Sequence, residues 1–171
     1  MHNEVRFICQ EVKKKYPDYF IGADVLDVGS LDINGNNRYL FTNCNIVGID
    51  LEKGRNVDVV TEVHKYISSK KFDVIVCTEM LEHDYYWQES LKRMLELLRK
   101  GGLLLLTAAG PNRPEHGTTK AEPQFSPFTN NHYRNVSVED LQECLPSDKL
   151  QKWHIGYRRD KHDIYFYGIK K

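Results

Sequence analysis

The sequence lacks a net charge and any paired cysteine motif. Its 24 basic residues balance 24 acidic residues, so it predicts no broad electrostatic field for nucleic acid or an anionic lipid surface. The four cysteines lie far apart, without the spacing of a zinc or redox motif. Such cysteine usage is typical of a reduced, intracellular compartment. The cysteines are Cys9, Cys44, Cys77 and Cys144.

Long hydrophobic runs are also missing. The longest, Leu103 to Ala109, is far too short to span a bilayer. The amino terminus has no apolar stretch preceded by positive charge, as a secretory signal would. We therefore predict a cytoplasmic protein without a membrane partner. A length of 171 residues fits one domain, which we place over residues 1–171, with an N-terminal helical segment at 1–20.

The most informative stretch runs from Asp24 to Asp50. It reads as an apolar strand (DVLDV), a polar turn with a short helix, and a second apolar strand (NIVGID). In an open parallel sheet, ligands bind beyond the carboxyl ends of the strands, so Gly29, Ser30 and Asp50 should face one crevice. A carboxylate about twenty residues after a strand–glycine turn is suited to binding ribose hydroxyls. The expected ligand therefore carries a ribose.

Strands and helices alternate along the chain, which predicts α/β architecture with right-handed crossovers. The first helix should carry one apolar stripe of Val5, Ile8, Cys9 and Val12, with Asn3 as its cap. The other predicted elements are strands at Asp24–Val28 and Asn45–Asp50, a rudimentary strand at Val57–Thr61, a buried strand from Phe72, a helix from Asp84 that stops at Gly101–Gly102, and a strand at Leu103–Gly110.

The last third of the sequence breaks this rhythm. Residues 111–134 form a loop longer than most connections, and its aromatic side chains favour a lid over a disordered segment. A short helix should follow, opened by a capping-box-like pair of Ser137 and Asp140. The tail reads as two strands joined by a charged turn, which predicts an antiparallel hairpin at the end of the sheet.

Four segments together resemble the class I S-adenosylmethionine-dependent methyltransferases, of the type 11-like domain. DVLDVGS resembles the first motif of that family, NIVGIDL the second, FDVIVCTEMLEH the strand beneath the methionine end, and RKGGLLLLTAAG the next strand. The resemblance implies a single-domain Rossmann-like methyltransferase fold: a mostly parallel twisted sheet, an antiparallel C-terminal hairpin and helices on both faces. It also implies S-adenosylmethionine as cofactor.

The resemblance assigns cofactor roles residue by residue. The methionine part should approach the backbone at Gly29, with its amino group near Asp27, and Asp50 should hold the ribose hydroxyls. The family's turn often has two or three glycines, whereas here Ser30 and Leu31 follow Gly29, so Asn34 or Arg38 should contact the carboxylate. The other implied positions are Leu51 against the adenine, Glu62 and Val63 around its polar edge, and Thr78 and Glu79 near the sulfonium.

Methyl transfer to oxygen, nitrogen or sulfur is an in-line displacement, so positioning should dominate catalysis. A general base is needed only if the nucleophile must lose a proton, and His83, His116 and His132 are the candidates. His83 could equally cap the following helix. Glu82 is interpreted as a solvated residue before that helix, and Trp87 as a core residue. No metal site is expected, because clustered carboxylates at the strand ends and zinc ligands are missing.

The sequence leaves several functions open. A small-molecule acceptor is favoured, in a monomer or homodimer, and the absence of a basic, aromatic-interleaved stripe argues against nucleic acid. Two alternatives use the same fold: a nucleic-acid-modifying methyltransferase and a catalytically silent cofactor-binding subunit. A nicotinamide-dependent oxidoreductase is a further alternative, although the G-x-G-x-x-G spacing is missing.

Overall fold

The helices and strands follow the alternation that the sequence predicts. The structure is a computed structural model that describes residues 2–171; Met1, which the predicted domain and N-terminal segment include, lies outside the described residues. The helices are α1 (Asn3–Lys15), α2 (Trp87–Leu97) and α3 (Val138–Cys144), and the strands are β1 (Asp24–Val28), β2 (Asn45–Asp50), β3 (Val59–Val60), β4 (Phe72–Thr78), β5 (Leu98–Ala109), β6 (Leu150–Arg158) and β7 (Asp163–Lys170).

The strands form one seven-stranded sheet in the order β3-β2-β1-β4-β5-β7-β6. Strands β1 to β5 run parallel to one another, while β7 is antiparallel to both β5 and β6. The predicted α/β fold with an antiparallel C-terminal hairpin is therefore confirmed. The strand order reverses between β1 and β4, and a reversal of this kind opens a crevice at the carboxyl ends of the strands.

Helices cover both faces of the sheet. The predicted stripe of α1 is buried, and Val5, Cys9 and Val12 pack with Val25 of β1 and Val74 of β4. The opposite face carries α2 and α3. Burial on both faces explains why the central strands read as nearly continuous apolar runs. That second core includes Leu26, Ile75 and Leu104 from the sheet, Leu91 and Met94 from α2, and Leu141 from α3.

Several local predictions were wrong. The cap position of α1 is His2, so Asn3 is the first helical residue, and no side chain caps this helix. Helix α2 begins three residues later than predicted, and residues 81–83 before it form a separate 3₁₀ turn. The helix also ends before Gly101–Gly102: these glycines lie inside β5, where Gly101 has φ 75° at an irregularity in the pairing with β4.

The connections around β2 are reduced. A 3₁₀ turn at Arg38–Leu40 is the only helical segment between β1 and β2, and β3 has two residues. Residues 111–134 contain a 3₁₀ turn at Pro123–Phe125 and no α-helix or named strand. At the start of α3, Ser137 and Asp140 make both hydrogen bonds of the predicted capping box. None of the helices in residues 2–171 is both long and apolar enough to cross a membrane.

Candidate active site

A cavity of about 960 Å³ opens at the carboxyl ends of β1, β2 and β4 and is covered by the loop of residues 111–134. All the predicted site residues except Arg38 line it, although they come from distant parts of the sequence. The cofactor candidates are Asp27, Gly29, Ser30, Leu31, Asn34, Asp50, Leu51, Glu62, Val63, Thr78 and Glu79, and the catalytic candidates are His83, His116 and His132. Their common location is observed, whereas their roles stay predictions.

The turn after β1 is shaped by Gly29. This residue has φ 73°, a conformation that glycine adopts without steric cost. A Cβ atom here would also lie 2.9 Å from the Cβ and Cγ of Met80. The N–H groups of Gly29 and Ser30 donate to the carbonyl of Ile49 at 3.0 and 3.2 Å. The turn is thus tied to β2, and its open side faces the cavity.

Asp50 connects the same turn to the end of β2. Its Oδ2 accepts a hydrogen bond from the backbone N–H of Leu31 at 2.9 Å, and its Oδ1 accepts from the N–H of Leu51 at 2.7 Å. Each carboxylate oxygen has a second lone pair. The carboxylate can therefore hold the turn and still accept hydrogen bonds from ligand hydroxyls in the cavity.

Arg38, the predicted alternative to Asn34 as a ligand contact, lies away from the cavity. Arg38 is not among the lining residues; its guanidinium donates to the carbonyl of Asn56 at 3.1 Å and lies 3.5 Å from Asp58. Asn34, the other candidate, does line the cavity. The segment between β1 and β2 therefore directs its asparagine side chains toward the cavity and Arg38 away from it.

A buried polar group links β1 to β4. Asn37, 3% exposed, donates from Nδ2 to Asp27 at 2.9 Å and to the hydroxyl of Thr78 at 3.0 Å. The other oxygen of Asp27 is buried without a partner. Sequence analysis missed Asn37; the only signal was its place in the amide-rich run NGNNR. An unpartnered oxygen at the cavity wall is suited to a donor from a ligand.

Ionisation of the buried Asp27 carboxyl group lowers the stability of the folded protein. Burial raises its pKa to about 6, although the hydrogen bond from Asn37 opposes the shift. A raised pKa means that ionisation of Asp27 destabilises the folded state above pH 6 but not below pH 3.8. We expect Asp27→Asn to increase the free energy of unfolding by about 1 kcal/mol at pH 8, with no charge-dependent gain at pH 3.5.

Paired urea unfolding curves at the two pH values measure this gain. The same variant should bind S-adenosylhomocysteine about tenfold more weakly, because the amide is a poorer acceptor for the ligand's ammonium group. Thr61→Ala, which also changes a polar residue of the cavity wall, is the comparison. A variant less stable than wild type at pH 8 would contradict the assignment of burial as the dominant cause.

Glu79 lies at the floor of the cavity in a strained conformation. Its φ of 55° is rare for a residue with a side chain, and such strain is typical of functional sites. Its carboxylate accepts from the Thr107 hydroxyl at 3.1 Å and lies 3.2 Å from His2 and 3.4 Å from Arg113. No sequence pattern predicts His2 or Arg113 beside this strand.

The three histidines lie where the loop of residues 111–134 meets the 3₁₀ turn at Leu81–His83. His83 and His116 contact each other edge to face, with ring centroids 5.1 Å apart. Burial, and secondarily His116, lowers the pKa of His83 to about 4, so its imidazole is neutral at pH 7. A group with this pKa is a weak base near neutrality. Burial also lowers the pKa of His132, so the pKa shifts do not separate these two histidines, and all three stay predicted candidates for the general base.

The interpretation of Glu82 as a solvated residue is wrong, since this side chain is 0% exposed. Neither of its carboxylate oxygens has a hydrogen-bond partner. Burial, reinforced by the negative charge of Glu79, raises the pKa of Glu82 well above its usual range. Trp87 does pack on the core, and the guanidinium of Arg134 stacks on it at 4.1 Å.

Comparison with known proteins assigns the chain to a family. A family model described as a methyltransferase domain matches residues 2–155, which is most of the chain. The chain therefore belongs to the methyltransferase domain family, and its identification from sequence as a class I S-adenosylmethionine-dependent methyltransferase is confirmed. No curated protein sequence matches the chain significantly.

Solved structures share the fold at low sequence identity. One is a Burkholderia thailandensis 1,6-didemethyltoxoflavin-N1-methyltransferase with bound 1,6-didemethyltoxoflavin and S-adenosylhomocysteine: TM-score 0.68, 17% identity, covering 98% of this chain and 78% of that one. Another is Haemonchus contortus phosphoethanolamine N-methyltransferase 2 with S-adenosylmethionine: the TM-score is 0.69 and the identity 16%, and the match covers 98% of this chain and 52% of that one. A third is the Synechocystis magnesium protoporphyrin IX methyltransferase with S-adenosylhomocysteine: the TM-score is 0.63 and the identity 14%, and the match covers 98% of this chain and 84% of that one.

Proposed function

We propose that this enzyme transfers a methyl group from S-adenosylmethionine to an oxygen, nitrogen or sulfur atom of a small-molecule acceptor. The observation that carries the proposal is the convergence of the Gly29 turn and the Asp50 carboxylate on one cavity. A backbone cradle and a carboxylate in one cavity suit the methionine part and the ribose of S-adenosylmethionine. Structural neighbours crystallised with S-adenosylmethionine or S-adenosylhomocysteine support the same cofactor.

The predicted cofactor residues would bind different parts of S-adenosylmethionine according to their chemistry. The adenine would lie against Leu51, an apolar side chain that is 40% exposed, beside Val63 and Glu62. The methionine part would extend along the Gly29 turn toward Asp27. The sulfonium would then lie above Thr78 and Glu79, at the end of β4. His83, His116 and His132 line the same cavity and would lie on the acceptor side of the cofactor.

The acceptor would occupy the rest of the cavity. A volume of about 960 Å³ is at the upper end of the range of roughly 300–1,000 Å³ for small-molecule sites, which leaves space beside a nucleoside. Aromatic side chains surround this part and are incompletely covered, as at a site for an apolar or planar ligand. They are Tyr85, Tyr86, Phe125 and Phe128.

We further propose that the single domain spans residues 1–171 and acts in the cytoplasm.

Labelled cofactor separates the acceptor classes. The protein is incubated with S-adenosylmethionine carrying a radioactive methyl group and a cell extract, which is then divided into small molecules, nucleic acids and proteins. We expect enzyme-dependent label in the small-molecule fraction. Label confined to nucleic acid or protein would contradict the acceptor class, and binding of S-adenosylhomocysteine without any transfer would favour the silent cofactor-binding subunit.

A further inference from the structure

Three side chains of metal-ligand type converge between the end of β4 and the lid. Glu82 and His83 come from the 3₁₀ turn after β4, and His116 comes from the lid. One ligating atom of each residue lies within 4.8 Å of those of the other two. Glu82 is 0% exposed and His83 is 7% exposed. We call these three residues the Glu82 cluster.

The buried carboxylate of this cluster has no side-chain partner, although the backbone N–H groups of Glu82 and Ala109 lie close to it. Both oxygens of Glu82 lack a hydrogen bond, and a buried carboxylate in that condition costs several kcal/mol unless it is neutralised. The nearby guanidinium of Arg113 is already engaged by Glu79 and Asp163. No cationic side chain in residues 2–171 forms an ion pair with Glu82. The group therefore needs either a proton or an external cation.

Backbone carbonyls orient both imidazoles of the cluster. The Nδ1 atom of His83 lies 3.3 Å from the carbonyl oxygen of His132, and the Nδ1 atom of His116 lies 3.1 Å from that of Pro114. A carbonyl only accepts hydrogen bonds, so each Nδ1 carries the proton and each Nε2 keeps its lone pair. Metal-binding histidines are commonly fixed by this kind of hydrogen bond.

The lid backbone is fitted tightly against the first imidazole. Gly117 has φ +68°, and a Cβ atom there would lie 2.7 Å from Cε1 of His83 and 2.6 Å from Cβ of Ser126. The position next to His116 therefore accepts glycine alone without strain. This close approach brings the lid histidine to the carboxylate and imidazole of the 3₁₀ turn.

We propose that Glu82, His83 and His116 bind a divalent first-row transition-metal ion beside the methyl-transfer site. Two imidazoles and one carboxylate favour Zn²⁺, Co²⁺, Fe²⁺ or Mn²⁺ over Mg²⁺ and Ca²⁺, which prefer oxygen ligands. Three protein ligands leave coordination positions open toward the cavity. The proposal replaces the sequence-based expectation of no metal, which was formed without the contact between the lid and the 3₁₀ turn.

A second group of metal-ligand type, His2, Glu79 and Asp163, lies nearby. Its carboxylates are already paired with the guanidinium of Arg113. An added cation would have to displace that arginine, so this group does not carry the same inference.

The metal would serve the acceptor, a role that depends on the proposed function. An acceptor hydroxyl bound to the ion has a lowered pKa and releases its proton to solvent. Its oxygen lone pair then forms the bond to the methyl carbon while the carbon–sulfur bond breaks. The electrons of that bond return to sulfur and give S-adenosylhomocysteine. The ion would thus perform the task first assigned to a histidine base.

Cobalt binding tests the site directly. The full chain is treated with a chelator, desalted and titrated with Co²⁺, whose visible absorption reports coordination by nitrogen ligands. We expect one equivalent to bind, and His116→Gln to weaken binding at least about tenfold. His162→Gln is the matched control, because its Nδ1 also lies near a carbonyl, at 2.7 Å, but outside the cluster. It should bind Co²⁺ as wild type does.

Two results would overturn the proposal. One is failure of the folded wild-type protein to bind Co²⁺ or to compete for Zn²⁺ with a chromophoric chelator, which would leave a proton on Glu82 as the neutralising charge. The other is equal binding by His116→Gln and His162→Gln. Glu82→Gln gives an independent measurement of the same loss if the lid variant proves unstable.

Binding of S-adenosylhomocysteine to the metal-free protein separates this inference from the proposed function. Cofactor binding without Co²⁺ binding refutes the metal site alone. Co²⁺ binding without cofactor binding supports the metal site and refutes the proposed cofactor site. Because neither titration measures activity, each proposal can fail independently of the other.

Discussion

Replacing Asp50 by alanine is expected to weaken the binding of S-adenosylhomocysteine by about 100-fold or more. A hydrogen bond to a charged group contributes about 1.5–3 kcal/mol, and two ribose hydroxyls would each donate one to this carboxylate. The sum corresponds to at least about two powers of ten in affinity. The substitution also removes the acceptor for the N–H of Leu31, which loosens the turn that carries the methionine part. Calorimetric titration measures the effect.

A second carboxylate serves as the control for this experiment. Asp58 also accepts a backbone hydrogen bond, from the N–H of Gly48 at 2.7 Å, but it does not line the cavity. Asp58→Ala should therefore keep an affinity within about twofold of wild type, since surface substitutions rarely exceed 0.5 kcal/mol. Equal affinities of Asp50→Ala and wild type would contradict the placement of the ribose.

The sequence predicts strands β1 and β2 and the crevice at their ends well because local patterns determine them. Strands β1 and β2 have the predicted bounds, since each is a short apolar run closed by polar or glycine residues. Parallel pairing of these strands then brings Gly29 and Asp50 to one edge of the sheet without further information. Their separation along the chain is enough to predict the crevice.

Long-range contacts explain what the sequence could not provide. Arg113 and Asp163 are fifty residues apart, and no periodicity relates a lid residue to the start of β7. Glu82 looks solvated in the sequence because acidic residues usually are, whereas the 3₁₀ turn that carries it packs against β5 and accepts a backbone hydrogen bond from Arg134. The Gly101–Gly102 pair misled for a related reason: its left-handed residue accommodates an irregularity in β5 rather than a helix end.

Removal of Arg113 is expected to lower the free energy of unfolding by about 3 kcal/mol at pH 7. Its guanidinium contacts Asp163, whose side chain is 0% exposed, and lies 3.4 Å from Glu79. Loss of one partner from a buried ion pair leaves a desolvated charge, which costs about 3–5 kcal/mol. The lower end of that range applies because His2, 3.4 Å from Asp163, remains as a partial replacement. Urea unfolding of Arg113→Ala measures the loss.

A more exposed ion pair serves as the control for the buried pair of Arg113 and Asp163. Arg158 and Glu4 lie 3.4 Å apart with side chains 39% and 28% exposed, and Arg158 also stacks on Phe7 at 4.6 Å. Because solvent screens this pair, Arg158→Ala should cost less than about 1 kcal/mol. Similar losses in the two variants would contradict the importance of burial at Arg113.

Acid should remove much of the difference between wild type and Arg113→Ala. Burial alone would raise the pKa of Asp163, but the hydrogen bond from His2 and the charges of His2 and Arg113 outweigh it and lower the pKa below 3.8. A lowered pKa gives stability that is present above pH 3.8 and is lost as the pH falls through the folded-state value. The unfolding free energies of the two proteins should therefore converge below pH 3.8. A gap that stays constant into acid would mean that Arg113 stabilises the fold by packing rather than by charge.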